Sequence, residues 1–323
     1  MGSSPTAGTK NRLGIRRFYY WMMNTKCILC PRRCRADRDK TNGICGVGNG
    51  IKVARAALHY WEEPCISGDK GSGAVFFSGC ALQCVYCQNR EISAGRTGVE
   101  ISTERLCEIF FELAAKGAHN INLVTGDHYI PQIADAIDEA EKRGFDLPFI
   151  FNCSGYETVD ALRMLDGLID VYLPDFKYID HDTARIYSNA WDYPDIAAAA
   201  VEEMVRQCPA CVFDETGLIK NGVIVRHLLL PGHVTDSKKV LKYLHEKYKN
   251  TIYISIMSQY TPMTGVSEEY PELGRRVKRK EYDRLTDYAI ELGIENAYIQ
   301  DMTVAKESFI PDFNNEGVSK QLT

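Results

Sequence analysis

Short apolar segments alternate with amphipathic ones along the chain from about residue 72 onward. The apolar segments are rich in β-branched and aromatic residues, as buried strands are, and lie at residues 74–77, 121–124, 149–151, 171–173, 223–230 and 252–256. Helical periodicity occupies the intervals, at residues 103–116, 131–143, 158–165, 195–207 and 237–248. The alternation predicts an α/β fold in which a helix-covered parallel sheet forms a partial (β/α)6-type parallel barrel.

The remaining segments divide the chain into regions. We expect residues 1–20 to be a disordered lead, residues 21–71 to form a loop-rich N-terminal extension with several cysteines and glycines, residues 72–305 to form the barrel, and residues 306–323 to be an extended tail. In parallel barrels the functional residues lie on the loops that follow the carboxyl ends of the strands. Candidate chemistry is therefore sought at those strand ends.

Composition narrows the class of protein. The 323 residues are 45% hydrophobic and 25% charged, which is ordinary for a globular protein, and the net charge of −5 gives no support for a nucleic-acid or membrane partner. The basic run at residues 275–280 is interpreted as a solvated helix start in preference to a phosphate-binding patch. Residues 1–10 lack the apolar core of a signal peptide, and no segment approaches the ~20 apolar residues of a membrane span. We therefore expect a cytoplasmic protein, whose twelve cysteines call for an explanation other than disulfides.

Three cysteines directly follow the first predicted strand. Cys80, Cys84 and Cys87 have the spacing C-x3-C-x2-C, so their thiolates can converge on one face of an iron–sulfur cubane. Such clusters normally take four cysteine ligands, and three would leave one iron open for a substrate. The alternative is a set of buried free cysteines, which the close spacing disfavours.

With Tyr86 in the aromatic position, this loop resembles the C-x3-C-x-aromatic-C signature of the radical S-adenosylmethionine (SAM) superfamily. The likeness is closest to the pyruvate formate-lyase activating-enzyme-like proteins, in a poorly characterised branch that Asn89 and the segments at residues 61–64 (WEEP) and 260–262 (YTP) fit. The resemblance implies a [4Fe–4S] cluster that binds SAM through its methionine moiety and, on one-electron reduction, cleaves it to a 5′-deoxyadenosyl radical. It further implies a one-electron donor such as flavodoxin or ferredoxin.

Three functions are consistent with this resemblance. The first is activation of a glycyl radical enzyme by hydrogen abstraction. The second is radical modification of a small molecule or a peptide, and the third is a non-enzymatic iron–sulfur electron carrier. Polar residues at further strand ends disfavour the carrier, because a carrier does not need them near its cluster.

The resemblance also implies which residues at those strand ends bind SAM, together with Tyr86. Asn152 stands where activating enzymes have an acid, which removes a charge from the place where some members bind a monovalent cation. A plain turn, a solvent-facing ion pair and satisfied core polar groups are the alternatives at these strand ends. The implied residues are Thr125, Gly126, Asn152, Ser154, Asp175, Lys177, Arg226 and His227, and Gln259 and Tyr260 are further candidates for contact with adenine or substrate.

A second group of cysteines lies in the N-terminal extension. Cys27, Cys30, Cys34 and Cys45 could hold a structural zinc or a second iron–sulfur cluster, or could be free thiols, and the spacing does not choose among these. Cys208 and Cys211 form a further C-x2-C pair, which is interpreted as structural, with a redox or metal role as the alternative. No role is assigned to Cys65, Cys107 and Cys153.

Overall fold

The computed structural model describes residues 26–302 and 311–320, so the predicted lead at residues 1–20 lies outside the described residues. Within the described ranges, ten strands form one sheet in the order β10-β9-β8-β6-β5-β4-β2-β1-β3, with β7 paired to β8. The strands are β1 (Ile51–His59), β2 (Ser72–Phe77), β3 (Val99–Ile101), β4 (Ile121–Val124), β5 (Phe149–Cys153), β6 (Val171–Pro174), β7 (Val212–Phe213), β8 (Ile219–Leu228), β9 (Tyr253–Met257) and β10 (Ala297–Ile299).

The central part of the sheet is parallel and confirms the predicted fold class. Strands β2, β4, β5, β6, β8, β9 and β10 lie side by side in that order, and each successive pair among them is parallel. The strand order ends at β10 on one side and β3 on the other, so the barrel is partial. Strand β10, whose three residues are apolar but only partly buried, was not predicted from the sequence.

Helices connect the parallel strands and cover the outer face of the sheet. Amphipathic α3 and α4 pack against each other, and their apolar residues join the large core under the strands. The helices are α1 (Pro64–Ser67), α2 (Arg90–Ser93), α3 (Thr103–Ala115), α4 (Ile130–Lys142), α5 (Val159–Arg163), α6 (His181–Ser188), α7 (Tyr193–Gln207), α8 (Val234–Tyr248), α9 (Val266–Glu269) and α10 (Arg279–Glu291), with 3-10 turns at Asp127–Tyr129, Lys249–Thr251 and Pro271–Gly274. None of the helices in the described part of the chain is long and apolar enough to cross a membrane.

The stretch predicted as a loop-rich extension contributes a strand to the sheet. Strand β1 pairs antiparallel with β2, with Ala56 opposite Val75, and β3 pairs antiparallel with β1. The pattern of β1 (IKVARAALH) has polar residues among its apolar ones, which suits a strand with one face against the core. This strand places the Glu62 segment, which follows it, beside the carboxyl ends of the parallel strands.

The described part of the tail packs on this side of the sheet. The Ala56 backbone N–H donates to the Glu316 carbonyl oxygen at 2.8 Å, and the Arg105 guanidinium of α3 donates to the Val318 carbonyl oxygen at 3.0 Å. Val318 is buried. Residues 311–320 are therefore attached to β1 and α3.

The basic run at residues 275–280 leads into α10, which begins at Arg279. Arg275 donates to the Glu281 carboxylate of that helix at 2.6 Å, so part of its charge is neutralised within the helix start itself.

Candidate functional site

A cavity of about 250 Å³ opens at the carboxyl ends of the parallel strands. It is lined by residues that follow β2, β4, β5 and β6 and by residues at the ends of β8 and β9, as expected for a parallel barrel. The sequence-predicted residues that line it are Cys80, Cys84, Tyr86, Cys87, Thr125, Asn152, Ser154, Asp175, Lys177, Arg226 and Gln259.

Backbone contacts fix the three-cysteine loop. The loop begins at Gly79, whose φ of +97° favours glycine and where a Cβ would lie 2.8 Å from the Cys45 carbonyl oxygen. The Cys87 N–H donates to the Cys84 carbonyl oxygen at 3.0 Å, and the Ser188 hydroxyl donates to the Cys84 sulfur at 2.9 Å. All three cysteines are half-buried and line the cavity, so their thiols share one space.

Tyr86 anchors the loop in an aromatic cluster. Its ring is buried in edge-on contact with Tyr178, Tyr187 and Tyr260, at centroid distances of 6.3–6.4 Å. The Tyr178 hydroxyl donates to the Tyr86 hydroxyl at 2.6 Å. The aromatic position of the motif therefore fixes the loop, and part of the same residue still reaches the cavity wall.

A network of charged side chains also lines the cavity. The Arg226 Nε donates to Asp175 Oδ1 at 3.0 Å, its Nη2 to Asn152 Oδ1 at 2.6 Å and its Nη1 to Glu62 Oε2 at 3.3 Å. The Lys177 Nζ donates to Asp175 Oδ2 at 2.5 Å. All five side chains line the cavity, so two cations and two carboxylates face it together with one amide.

Protonation in this network follows from burial and charge. Burial opposes ionisation of Asp175, but the neighbouring Lys177 and Arg226 charges outweigh it and lower the carboxyl pKa. For Glu62 burial dominates and raises the pKa, although Arg226 and the Asn122 amide act against it. Asp175 is therefore held in its ionised form, whereas the Glu62 carboxyl is more readily protonated.

Glu62 lines the cavity but was not among the site residues expected from the sequence. Its Oε1 accepts hydrogen bonds from the amides of Asn122 at 3.0 Å and Asn152 at 3.2 Å, which links β4 and β5 to the segment after β1. The signal was an adjacent pair of acids directly before Pro64, which begins a helix whose residues Cys65 and Ile66 are buried. These acids can be assigned to the strand ends only when β1, which precedes them, is recognised as a strand of the sheet.

Two expected residues at the same strand ends do not line the cavity. His227 follows Arg226 in β8, so its side chain points to the other face of the strand, where Nδ1 hydrogen bonds with the Phe176 carbonyl oxygen at 2.7 Å. A Cβ on Gly126 would lie 2.5 Å from Ile133 Cδ1, so this glycine allows α4 to pack closely. The positive φ of this turn, +58°, belongs to Thr125.

Of the Gln259–Tyr260 pair, the glutamine alone reaches the cavity. Tyr260 is buried and donates to the Leu273 carbonyl oxygen at 2.6 Å. The Gln259 side chain accepts from the Gln300 amide at 2.8 Å, which holds it at the end of β9.

A second group of acidic residues lies next to the cavity-lining residue Ser154. Ligand atoms of Asp127, Cys153 and Glu157, all buried, lie within 4.8 Å of one another. The Ser154 hydroxyl, which lines the cavity, bonds to Asp127 Oδ1 at 3.3 Å and Glu157 Oε1 at 3.1 Å. Burial, reinforced by the Asp127 charge, raises the Glu157 pKa well above its usual range. Burial therefore favours the protonated form of Glu157.

The four N-terminal cysteines also come together. Burial raises the pKa of the Cys30 thiol to about 12, and the adjacent thiols of Cys27, Cys45 and Cys34 add to that shift. Their segment contacts the three-cysteine loop, because the Cys80 N–H donates to the Cys45 carbonyl oxygen at 3.0 Å.

The pair Cys208 and Cys211 lies at the other end of the strands. The Cys208 thiol approaches the Asp170 carbonyl oxygen just before β6, and the Cys211 thiol approaches the Val223 carbonyl oxygen. These contacts fit the structural interpretation of the pair.

Comparison with known proteins relates this site to a family. Residues 74–222 match the model of the Radical SAM superfamily. The chain is 26% identical over 279 residues to the uncharacterized protein MJ0674 of Methanocaldococcus jannaschii, which covers 84% of this chain and 76% of the relative.

Two solved structures resemble the fold at low sequence identity. HydG, a maturase of the [FeFe]-hydrogenase, has a TM-score of 0.46 and 14% sequence identity. The superposition covers 94% of this chain and 66% of the HydG chain. Streptococcus suis SuiB, bound to its precursor peptide SuiA, has a TM-score of 0.46 and 11% identity over 69% of this chain, which spans 46% of the SuiB chain. The family match, which includes the three-cysteine loop and the polar strand ends as far as Lys177, supports the place of this chain in the Radical SAM superfamily, whose members are enzymes that use a [4Fe–4S] cluster and SAM.

Proposed function

We propose that Cys80, Cys84 and Cys87 hold the [4Fe–4S] cluster and that the cavity beside them binds SAM, which is cleaved reductively to a 5′-deoxyadenosyl radical. The observation that carries this proposal is that the three thiols and the Asp175–Arg226 network line one cavity. A non-enzymatic electron carrier would have no use for two cations and two carboxylates in the same wall.

The donor set fits a cubane with an open iron. Three cysteines on one loop supply three of the four ligands that such a cluster takes. The cluster supplies one-electron reduction of the sulfonium, and the chain supplies binding, orientation and exclusion of water. Superfamily members generally need a one-electron donor, and we propose flavodoxin or ferredoxin for this role, in the cytoplasm.

The charged wall suits the polar end of SAM. Its methionine moiety carries an ammonium and a carboxylate, so it needs an acceptor and a donor that are already ionised. Asp175 is held as a carboxylate, while Lys177 and Arg226 offer cationic N–H groups from the same wall. Asn152, Ser154 and Thr125 add neutral polar groups next to them. We therefore place the methionine moiety between the cysteine loop and β6.

Apolar residues in the cavity lining suit the nucleoside. Phe76, Leu228 and Met257 are among them, and Gln259 adds an amide. An aromatic and aliphatic wall with one hydrogen-bonding group can accept a purine ring by stacking and a single polar contact.

For the substrate we propose a glycyl residue of a partner protein, from which the radical abstracts hydrogen. Trp61 lines the cavity and is 57% exposed, and its neighbour Tyr60 is also exposed, so large apolar side chains stand where a protein chain could contact the rim. A peptide could use the same rim, and a small molecule would leave it uncovered.

The decisive test is formation of 5′-deoxyadenosine. Anaerobically reconstituted protein is incubated with SAM and dithionite, and the nucleoside product is quantified by liquid chromatography. The Cys84→Ala variant should lose at least 100-fold of this activity, whereas Cys211→Ala, a thiol at the far end of the strands, should retain it. Absence of the product from wild-type protein with a full complement of iron would refute the proposal.

The substrate is tested separately. A candidate glycyl radical enzyme is added to the same mixture, and electron paramagnetic resonance is recorded for a glycyl radical. Replacement of Trp61 by Ala should weaken activation of the protein substrate at least 10-fold more than it weakens uncoupled SAM cleavage. Equal effects on both reactions would contradict a role of Trp61 in partner binding.

A further inference from the structure

The N-terminal segment that carries Cys27, Cys30, Cys34 and Cys45 is folded against the barrel. The Cys27 N–H donates to the Ala36 carbonyl oxygen, and the Arg35 N–H donates back to the Cys27 carbonyl oxygen, both at 2.9 Å. At Gly43 an added Cβ would lie 3.2 Å from the Cys45 sulfur and 3.4 Å from the Cys34 sulfur. Thiols that are distant in sequence therefore face the same small space.

A buried cation lies beside these thiols. Arg38 is 2% exposed, and its guanidinium donates to the carbonyl oxygens of Gly48 at 3.1 Å and His128 at 2.8 Å. Within the described ranges no carboxylate forms an ion pair with it. A buried charge needs an opposite charge close by, and carbonyl oxygens supply only partial ones. Cysteines bound to a metal are thiolates and would give Arg38 the negative charge it needs.

The spacing of the thiols distinguishes between two kinds of metal centre. In a tetrahedral zinc site with Zn–S bonds of about 2.3 Å, all ligand sulfurs lie about 3.8 Å apart. Among the described residues, only Asp127, Cys153 and Glu157 bring three ligand atoms within 4.8 Å of one another. No three of the four N-terminal thiols lie within 4.8 Å of one another, and neither do the thiols of Cys80, Cys84 and Cys87, whereas a tetrahedral zinc site would bring all its ligand sulfurs within that distance. In a cubane each thiolate binds a different iron, so the ligand sulfurs are farther apart than at a single ion.

We propose that Cys27, Cys30, Cys34 and Cys45 bind a second iron–sulfur cluster, with all four irons ligated and Arg38 as the adjacent counter-charge. This cluster would lie in a segment that packs against the loop of Cys80, Cys84 and Cys87. Besides the bond from the Cys80 N–H to the Cys45 carbonyl oxygen, the Gln83 amide donates to the Ile44 carbonyl oxygen at 2.7 Å and the Arg32 Nε to the Ala81 carbonyl oxygen at 2.8 Å. The N-terminal segment thus contacts the radical-generating loop at successive positions.

The test is metal content measured independently of catalysis. After anaerobic reconstitution, iron, acid-labile sulfide and zinc are quantified in wild-type protein and in the triple variant Cys80→Ala, Cys84→Ala and Cys87→Ala. We expect about eight iron atoms per chain in the wild type and about four in the triple variant, with a matching loss of sulfide. The triple variant should retain an iron–sulfur absorption band that dithionite bleaches.

Two further variants remove ambiguity. Adding Cys27→Ala and Cys30→Ala to the triple variant should eliminate the remaining iron, whereas Cys208→Ala with Cys211→Ala in the wild type should leave about eight. About one zinc per chain in the triple variant, or iron that survives loss of Cys27 and Cys30, would overturn the proposal. If the triple variant does not fold, a wild-type content of about four iron atoms overturns it equally. Failure here would leave the centre at Cys80, Cys84 and Cys87 untouched, because its iron is counted separately.

Discussion

Replacing Arg226 by Met tests the charged wall of the cavity. The substitution keeps an unbranched side chain in β8 but removes the hydrogen bonds to Asp175, Asn152 and Glu62. Three hydrogen bonds to or from charged groups, at about 1.5–3 kcal/mol each, set an upper bound of roughly 5–9 kcal/mol. Methionine also avoids the desolvation of a guanidinium and lets Glu62 neutralise itself by protonation. We therefore expect a loss of about 3–5 kcal/mol, as for other buried pairs that lose one partner.

The sign of the pH dependence follows from the same contacts. In wild type, burial raises the Glu62 pKa while Arg226 limits the rise, so removing Arg226 raises this pKa further. A carboxyl whose folded-state pKa is raised contributes full stability below its unfolded pKa and loses it as the pH rises toward the folded value. The variant should therefore be more destabilised at pH 8 than at pH 5.5.

Urea unfolding of the anaerobically reconstituted protein, followed by circular dichroism, measures both effects. With a slope of about 3 kcal/mol per molar urea, the midpoint should fall by roughly 1–1.7 M at pH 8 and by less at pH 5.5. Arg185→Met is the matched control, because Arg185 pairs with Asp182 on the exposed face of α6 and should contribute about 0–1 kcal/mol. An Arg226→Met midpoint within 0.2 M of wild type at both pH values would refute the network.

Three other substitutions test single features of the site. Gly79→Ala should be destabilised by about 2 kcal/mol more than Gly117→Ala in urea unfolding. Both glycines have a positive φ, but only at position 79 would the new Cβ lie against the Cys45 carbonyl oxygen. Equal unfolding midpoints for the two variants would contradict this close approach. Tyr86→Phe should lose about 0.5–1.5 kcal/mol in the same assay yet keep its full iron content, because the Tyr178 hydroxyl loses an acceptor while the ligands stay; loss of iron would show that the hydroxyl is needed for cluster assembly. Glu157→Gln should raise the thermal midpoint relative to wild type more at pH 8 than at pH 5.5, because a carboxyl with a raised folded-state pKa loses stability as the pH rises; the opposite trend would mean that Glu157 is ionised in the folded protein.

The sequence predicted the parallel strands and the cysteine loop because both signals are local. A buried parallel strand is a continuous apolar segment, and the cysteine spacing requires no knowledge of neighbouring strands. Side-chain direction was harder to predict. Arg226 and His227 are adjacent, both are polar residues in an apolar strand, and the alternation of a strand decides that only one of them faces the cavity. That decision depends on the register between β8 and β6, which the sequence does not display.

Glu62 shows how charge in the site depends on long-range topology. The resemblance to activating enzymes places an acid at the end of β5, and this chain has Asn152 there, which would leave Lys177 and Arg226 facing Asp175 alone. Strand β1, added antiparallel to β2, brings Glu62 from ninety residues earlier to within 3.2 Å of the Asn152 amide and 3.3 Å of Arg226. The second carboxylate of the wall thus comes from a different element, and the two cations again face two acids. Because a buried cation without its partner is costly, Asn152 and Glu62 are best understood as one unit.

A variant that restores the acid, Asn152→Asp, should therefore be tolerated only together with Glu62→Gln, and urea unfolding of the two single variants and the double variant measures that coupling. Additive effects would show that the two positions are independent.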